Sequence, residues 1–210
     1  MIGICPKCGN YNWDKTVTEQ EVSCPKCNHR WPYRRLPLFI LSGCSGVGKT
    51  TTAQMLLQRD TDFIVLDSDL FYCIMPHESE ADYMAQTEQL LSLSRNLMQS
   101  GKPVLWTKTG CLDQLPKGYN SRFFSDIYCL ALTCEEGALR RRMQEGRHIT
   151  DEGWLRSSAD YNRYFQTHDR IGDLCFETLD ISGKSTSEVA DRVQAWVKEK
   201  MGETPLCQPR

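Results

Sequence analysis

The chain has 210 residues, 25 Lys and Arg against 27 Asp and Glu, and a formal charge of −2 at pH 7. That length allows one full-sized domain with its own core plus a small appendage. The balanced charge gives no global reason to expect nucleic acid or an anionic membrane as partner. No apolar stretch reaches the ~18 residues of a membrane span, and the start lacks the charged-then-apolar layout of a signal peptide, so a cytoplasmic protein is expected.

The first element is a metal knuckle pair. Eleven cysteines are too many for a cytoplasmic chain to use as a disulfide framework. Four of them, Cys5, Cys8, Cys24 and Cys27, form two CxxC pairs separated by residues 9–23. Each CxxC turn aims two thiolates at one point, and two turns complete a tetrahedral Zn²⁺ site. The β-favouring "TVT" and "EVS" between them predict a hairpin, so residues 1–35 resemble a zinc ribbon. A redox CxxC pair is the alternative, and the flanked hairpin argues against it. His29 follows the second knuckle, but four thiolates already fill the site. Trp13, Trp31 and Tyr33 are expected in the ribbon's small core or at its seam with the next domain. Lys7, Lys15, Lys26, Arg30, Arg34 and Arg35 make the ribbon locally basic. Nucleic acid is therefore a second class of partner, less favoured than a small molecule.

The second domain is expected over residues 36–201, with residues 202–210 as a tail. "LFILSGCSGVGKTTTAQMLLQ" reads as buried strand, glycine-rich turn and helix, and fits G-x-x-x-x-G-K-[ST] at Gly43, Gly48, Lys49 and Thr50. Backbone N–H groups of such a loop curl around phosphates, and the helix N-terminus adds partial positive charge. Gly43, Cys44, Ser45, Gly46, Val47, Gly48, Lys49, Thr50 and Thr51 are thus the expected nucleotide-binding residues. Lys49 is expected at the β- and γ-phosphates of ATP, and the Thr50 hydroxyl on Mg²⁺. Cys44, near a helix N-terminus, is the one thiol expected to have a lowered pKa. "WTKTG" lacks the Asp of a guanine-recognition motif, which argues against a GTPase.

Further along, "DFIVLDSDLF" predicts a second strand ending in Asp67 and Asp69, and residues 78–101 a helix stopped at Gly101. "KPVLWT" predicts a third strand, "GCLDQLPKGYN" a loop and "DIYCLALTC" a fourth strand. "EEGALRRRMQEGR" is an Arg-rich helix, and "DEGWLRSSADYNRYFQTH" another. "LCFETLDI" predicts a fifth strand, and "STSEVADRVQAWVKEKM" a closing helix with a capping-box start at or near Ser187. Five strands alternating with helices give a three-layer α/β domain on a parallel sheet. Ligands then collect at the carboxyl ends of the strands, where Asp67 and Asp69 fall.

On "GCSGVGKTT", "LDSD", "LRRRMQEGR" and "DISGKSTSEVADRVQAW", residues 36–201 resemble the small P-loop kinases of the nucleoside- and shikimate-kinase-like group, similar to adenylate kinase in fold. The resemblance implies that Asp67 helps hold Mg²⁺ and that Asp69 contacts the acceptor hydroxyl. It puts Arg140, Arg141, Arg142 and Arg147 where such kinases carry their lid, with Arg142 and Arg147 fitting the spacing best. It also places Gly183 and Lys184 beside the adenine base. The acid expected at the end of the third strand and the paired arginines of a shikimate site are missing, and only Arg95 and Lys108 offer cations to an acceptor. The leading expectation is an ATP-dependent phosphotransferase for a small hydroxylated acceptor, a nucleoside or nucleotide first. An ATP-driven switch and a nucleic-acid end kinase gripping polymer through the ribbon are the alternatives.

Overall fold

Leu38, Phe39, Ile40 and Leu41 are all fully buried, because the strand they form is covered on both faces. In the computed structural model, which describes residues 2–12 and 14–202, Phe39 and Leu41 enter one hydrophobic core while Leu38 and Ile40 enter another. This alternation follows from the two-residue period of a strand, and a near-continuous apolar run is what a doubly covered parallel strand requires.

Among the described residues, ten strands and five α-helices run in the order β1 (Thr16–Val17), β2 (Glu21–Ser23), β3 (Arg30–Pro32), β4 (Leu38–Gly43), α1 (Lys49–Leu57), β5 (Ile64–Asp67), α2 (Glu80–Leu97), β6 (Val104–Thr107), β7 (Ile127–Thr133), α3 (Glu136–Arg141), α4 (Glu152–Thr167), β8 (Arg170–Ile171), β9 (Leu174–Cys175), β10 (Glu177–Asp180) and α5 (Thr186–Gly202). The central sheet is parallel with order β10-β7-β4-β6-β5. Residues from α1, α3 and α5 (Ala53, Leu56, Leu139, Val189, Val193, Trp196) pack with one face. Residues from α2 and the far end of α4 (Leu90, Leu91, Phe165) pack with the other, together with Trp106 of β6. The expected three-layer architecture with five parallel strands is present. No helix among the described residues is long and apolar enough to cross a membrane.

Several boundaries differ from expectation. The second strand ends at Asp67 because its side chain accepts a hydrogen bond from the Asp69 backbone and starts a 3-10 turn over Ser68–Cys73. The predicted fifth strand is split. Leu174 and Cys175 pair antiparallel with β8 in a separate hairpin, and only Glu177–Asp180 joins the sheet. The closing helix has its capping box at Ser185, near Ser187 as expected. The Ser185 hydroxyl faces the Glu188 N–H at 3.3 Å, and Glu188 accepts from the Ser185 N–H at 2.8 Å. The Arg-rich helix changes to a π turn over Arg142–Gly146.

β1, β2 and β3 form a small antiparallel sheet beneath the two knuckles. Tyr33 and Val22 share a cluster with Ile2 and with Phe123, a residue lying 90 positions after Tyr33. The Tyr33 hydroxyl donates to the Phe123 carbonyl at 2.8 Å, and the two rings meet edge to face. Tyr33 therefore lies at the seam; Trp31 packs beside this cluster, and Trp13 lies outside the described residues. Arg34 bonds Gln99 and Arg35 donates to the Phe124 carbonyl. These contacts precede the starts of β4, β6 and β7, so the ribbon sits at the amino ends of the sheet strands, opposite the phosphate loop.

Candidate active site

The loop after β4 is shaped by glycines whose conformations no other residue adopts without strain. Gly43 has φ +133°, and an added Cβ would lie 2.6 Å from the Leu132 carbonyl oxygen. Gly46 has φ +79°, with its would-be Cβ 2.5 Å from Met143 Cγ. Met143 is buried in the π turn, so Gly46 allows that turn to sit directly on the loop. Val47 and Cys44 are buried beneath it. The Cys44 thiol is pushed up to about 12, first by burial, so the expected lowering is reversed: it is a packed core group.

Lys49 opens α1 and folds back over the loop, donating to the carbonyls of Gly43 at 2.9 Å and Cys44 at 2.8 Å. Desolvation brings its ammonium down to about 8. The neighbouring Thr50 hydroxyl donates to Asp67 Oδ2 at 3.2 Å, while Asp67 Oδ1 accepts from the Asp69 N–H at 3.0 Å. Asp67 thus caps its own turn and reaches the phosphate loop at once. Burial raises the Asp69 carboxyl above the usual range, followed by the nearby charge of Asp67.

Two of the four arginines point at the loop. Arg142 donates to the Val47 carbonyl at 3.4 Å, and Arg147 to the Ser45 hydroxyl at 3.1 Å. Arg140 pairs instead with Glu152. His148 is exposed and makes no hydrogen bond to the loop among the described residues. Lys49, Thr50, Asp67, Asp69, Arg142 and Arg147 border one cleft of about 890 Å³, which Lys184 also lines and Gly183, Arg140 and His148 do not. Ile181, Thr186 and Val189 complete its far side; Tyr72, Thr107, Lys108, Thr109 and Trp154 line its near side. Lys108 apart, the placement of these residues around the cleft depends on where the chain folds back, which local sequence does not show. Arg95 is not in the cleft. It is buried against Phe123 and bonds Asn120, at the ribbon end of the sheet. The aromatic stretch after Asp69 divides: Phe71 is core, stacked on Trp106, and Tyr72 faces the cleft.

At the other end of the molecule, the Cys5, Cys8, Cys24 and Cys27 sulfurs all lie within 4.8 Å of one another, with Cys5–Cys27 and Cys8–Cys24 at 3.7 Å. Four tetrahedral bonds of ~2.3 Å place sulfurs about 3.8 Å apart, so the donor set fits Zn²⁺. Burial opposes ionisation of Cys24, yet N–H groups of Cys27 and Lys26 and the Asn10 amide bring it down to about 6, as a metal thiolate needs. Three of the ribbon's basic residues have partners within it, while Lys7, Lys26 and Arg34 are exposed. Lys15 is buried and donates to the Asn10 and Asn12 carbonyls, Arg35 pairs with Glu19, and Arg30 lies 3.6 Å from Glu21.

Residues 40–163 match the family described as an AAA domain. No curated protein matches the sequence. Among solved structures, an unliganded sugar kinase from Janibacter sp. HTCC2649 is similar over 78% of this chain and 95% of its own, at 17% identity and a TM-score of 0.56. A gluconokinase from Sinorhizobium meliloti 1021 covers 80% and 95%, at 15% identity and a TM-score of 0.55. The Mycobacterium tuberculosis APS kinase, solved with AMPPNP and APS, covers 80% and 99%, at 17% identity and a TM-score of 0.52. At these identities the likeness is one of fold, that of the P-loop kinases.

Proposed function

The chain belongs to the AAA-domain family, and from that premise we propose that it moves the γ-phosphoryl group of Mg-ATP to a hydroxyl or phosphate of a small acceptor, nucleosides and nucleotides being the first classes to test. The observation that carries this reading is the convergence of Lys49, Thr50, Asp67, Asp69, Arg142 and Arg147 on one cleft. A switch needs the phosphate loop alone; a second carboxylate beside it is what a hydroxyl acceptor needs.

In this reading the loop N–H groups and Lys49 hold the triphosphate, with Lys49 exchanging two carbonyl partners for phosphate oxygens. Thr50 and Asp67 are hard oxygen donors suited to Mg²⁺, which neutralises charge on the β- and γ-phosphates when bound. Asp69 accepts the proton of the attacking hydroxyl, and Arg142 and Arg147 stabilise the equatorial oxygens of the transferring group. Lys184 with Ile181 and Thr186 borders the base, where Gly183 turns the chain. The nucleic-acid reading has less support, since the ribbon lies at the opposite end of the sheet from the phosphate loop.

The test is ADP release from Mg-ATP across nucleosides, nucleoside monophosphates, sugars and hydroxy acids. Release stimulated by one chemical class is expected; acceptor-independent release, or none, would overturn the phosphotransferase.

We further propose a division into ribbon 1–35, kinase domain 36–201 and tail 202–210, with Zn²⁺ held by the four thiolates. Purified protein should contain about one zinc per chain, and Cys24→Ser should lose it and unfold the ribbon, since the metal supplies most of so small a unit's folding free energy. Metal analysis by mass spectrometry decides the point, and a folded, metal-free ribbon would refute it.

A further inference from the structure

Beside Asp69 the main cleft opens into a recess of about 80 Å³, lined by Ser68, Asp69, Tyr72, Tyr83, Gln86 and the 108–111 segment among others. No phosphate-loop residue borders it, so it is separate from the seat of the triphosphate. Lys108 lies between the two spaces and lines both. It is only 9% exposed, and among the described residues its ammonium makes no hydrogen bond or ion pair. The hydroxyl of its neighbour Thr107, also buried at the cleft, has no partner either.

A buried cation without a counter-charge is costly, and interiors ordinarily supply one. Asp69 feels the charge of Lys108 but does not pair with it. The place is small, polar and positively charged at one wall, with the carboxylate suited to a hydroxyl at the other.

We infer that Lys108 receives an anionic group of the acceptor, a carboxylate or a phosphate, in this recess, so that the substrate is a compact hydroxylated anion whose reacting hydroxyl lies a few bonds from its charge. The inference rests on the phosphotransferase reading and narrows it: neutral nucleosides and sugars are disfavoured against their anionic counterparts. The role is one of binding and orientation. An ammonium fixing one end of the acceptor sets its hydroxyl against Asp69, and desolvation makes that contact stronger than it is in water.

The experiment uses the full chain with a non-hydrolysable ATP analogue filling the phosphate loop, so that anions cannot bind there. Isothermal titration then compares glycerate and glycerol 3-phosphate with glycerol, and ribose 5-phosphate with ribose. The anionic members should bind at least about tenfold more tightly than their neutral partners, and Lys108→Met, which keeps the side-chain length, should abolish the difference. Glycerate against glycerol 3-phosphate tells carboxylate from phosphate. Equal affinity for charged and neutral members, no binding by any anion, or discrimination that survives Lys108→Met would overturn the inference. The wild-type comparison decides even if the variant does not fold. ADP release with the same compounds and ATP separates the two readings. Binding without transfer removes the phosphotransferase and leaves the anion site, whereas transfer to neutral acceptors alone does the reverse.

Discussion

Replacing Lys49 with alanine should lower Mg-ATP-dependent transfer by a factor of about 10²–10³ while leaving the chain folded. The ammonium is the one side-chain cation of the loop itself, held 2.8–2.9 Å from two carbonyls that, in the proposed reaction, it would leave for phosphate oxygens. The fold does not depend on it. Its ammonium is depressed from 10.5 to about 8, so the unfolded chain binds the extra proton between those values and the buried cation weakens the native state below pH 8. Removing it relieves that cost at neutral pH. ADP release at saturating acceptor gives the rate, and circular dichroism follows the fold. Retained turnover would take the loop out of the mechanism.

The second large effect is expected at Asp69. Asp69→Asn should reduce kcat by about 10²–10⁴ with ATP affinity nearly unchanged if, as proposed, the carboxylate takes the acceptor's proton without touching nucleotide. Its pKa is raised by burial and then by Asp67, and only the ionised form is a base. The acid limb of the wild-type pH–rate profile therefore lies above the ordinary aspartate range, with activity lost as pH falls through it. The variant should lack that limb. A kcat within a few-fold of wild type would reduce Asp69 to a member of its 3-10 turn.

What local chemistry dictates was legible in the sequence. The buried run before Gly43, the spacing of Gly48, Lys49 and Thr50, and the two CxxC pairs each encode their structure within a few residues. The alternation of strands and helices placed Asp67 at the carboxyl end of the sheet. Features that depend on distant segments were not legible. Phe123 completes the ribbon's core across 90 positions, and nothing near it in the chain announces this. The predicted fifth strand is continuous in sequence, yet the Phe176 N–H bonds back to the Asp169 carbonyl and divides it. Arg95 reads as a free cation on a helix, but that face of α2 is covered by the 119–123 turn. Cys44 sits where a thiolate would be favoured, and burial reverses the sign.

The π turn at Arg142–Gly146 has its own logic. In an uninterrupted α-helix, residues 142 and 147 would be separated by about 140° around the axis, and only one would face the loop. With i→i+5 bonding, residues five apart come nearly into line, and both guanidinium groups reach Val47 and Ser45. The wider turn is equivalent to one extra residue inserted in a helix. Deleting Glu145 should therefore leave an ordinary α turn in which Arg147, now four positions after Arg142, keeps the same face, whereas an α turn of the present length would swing it away; the π turn absorbs the extra residue and keeps both positive charges on the loop.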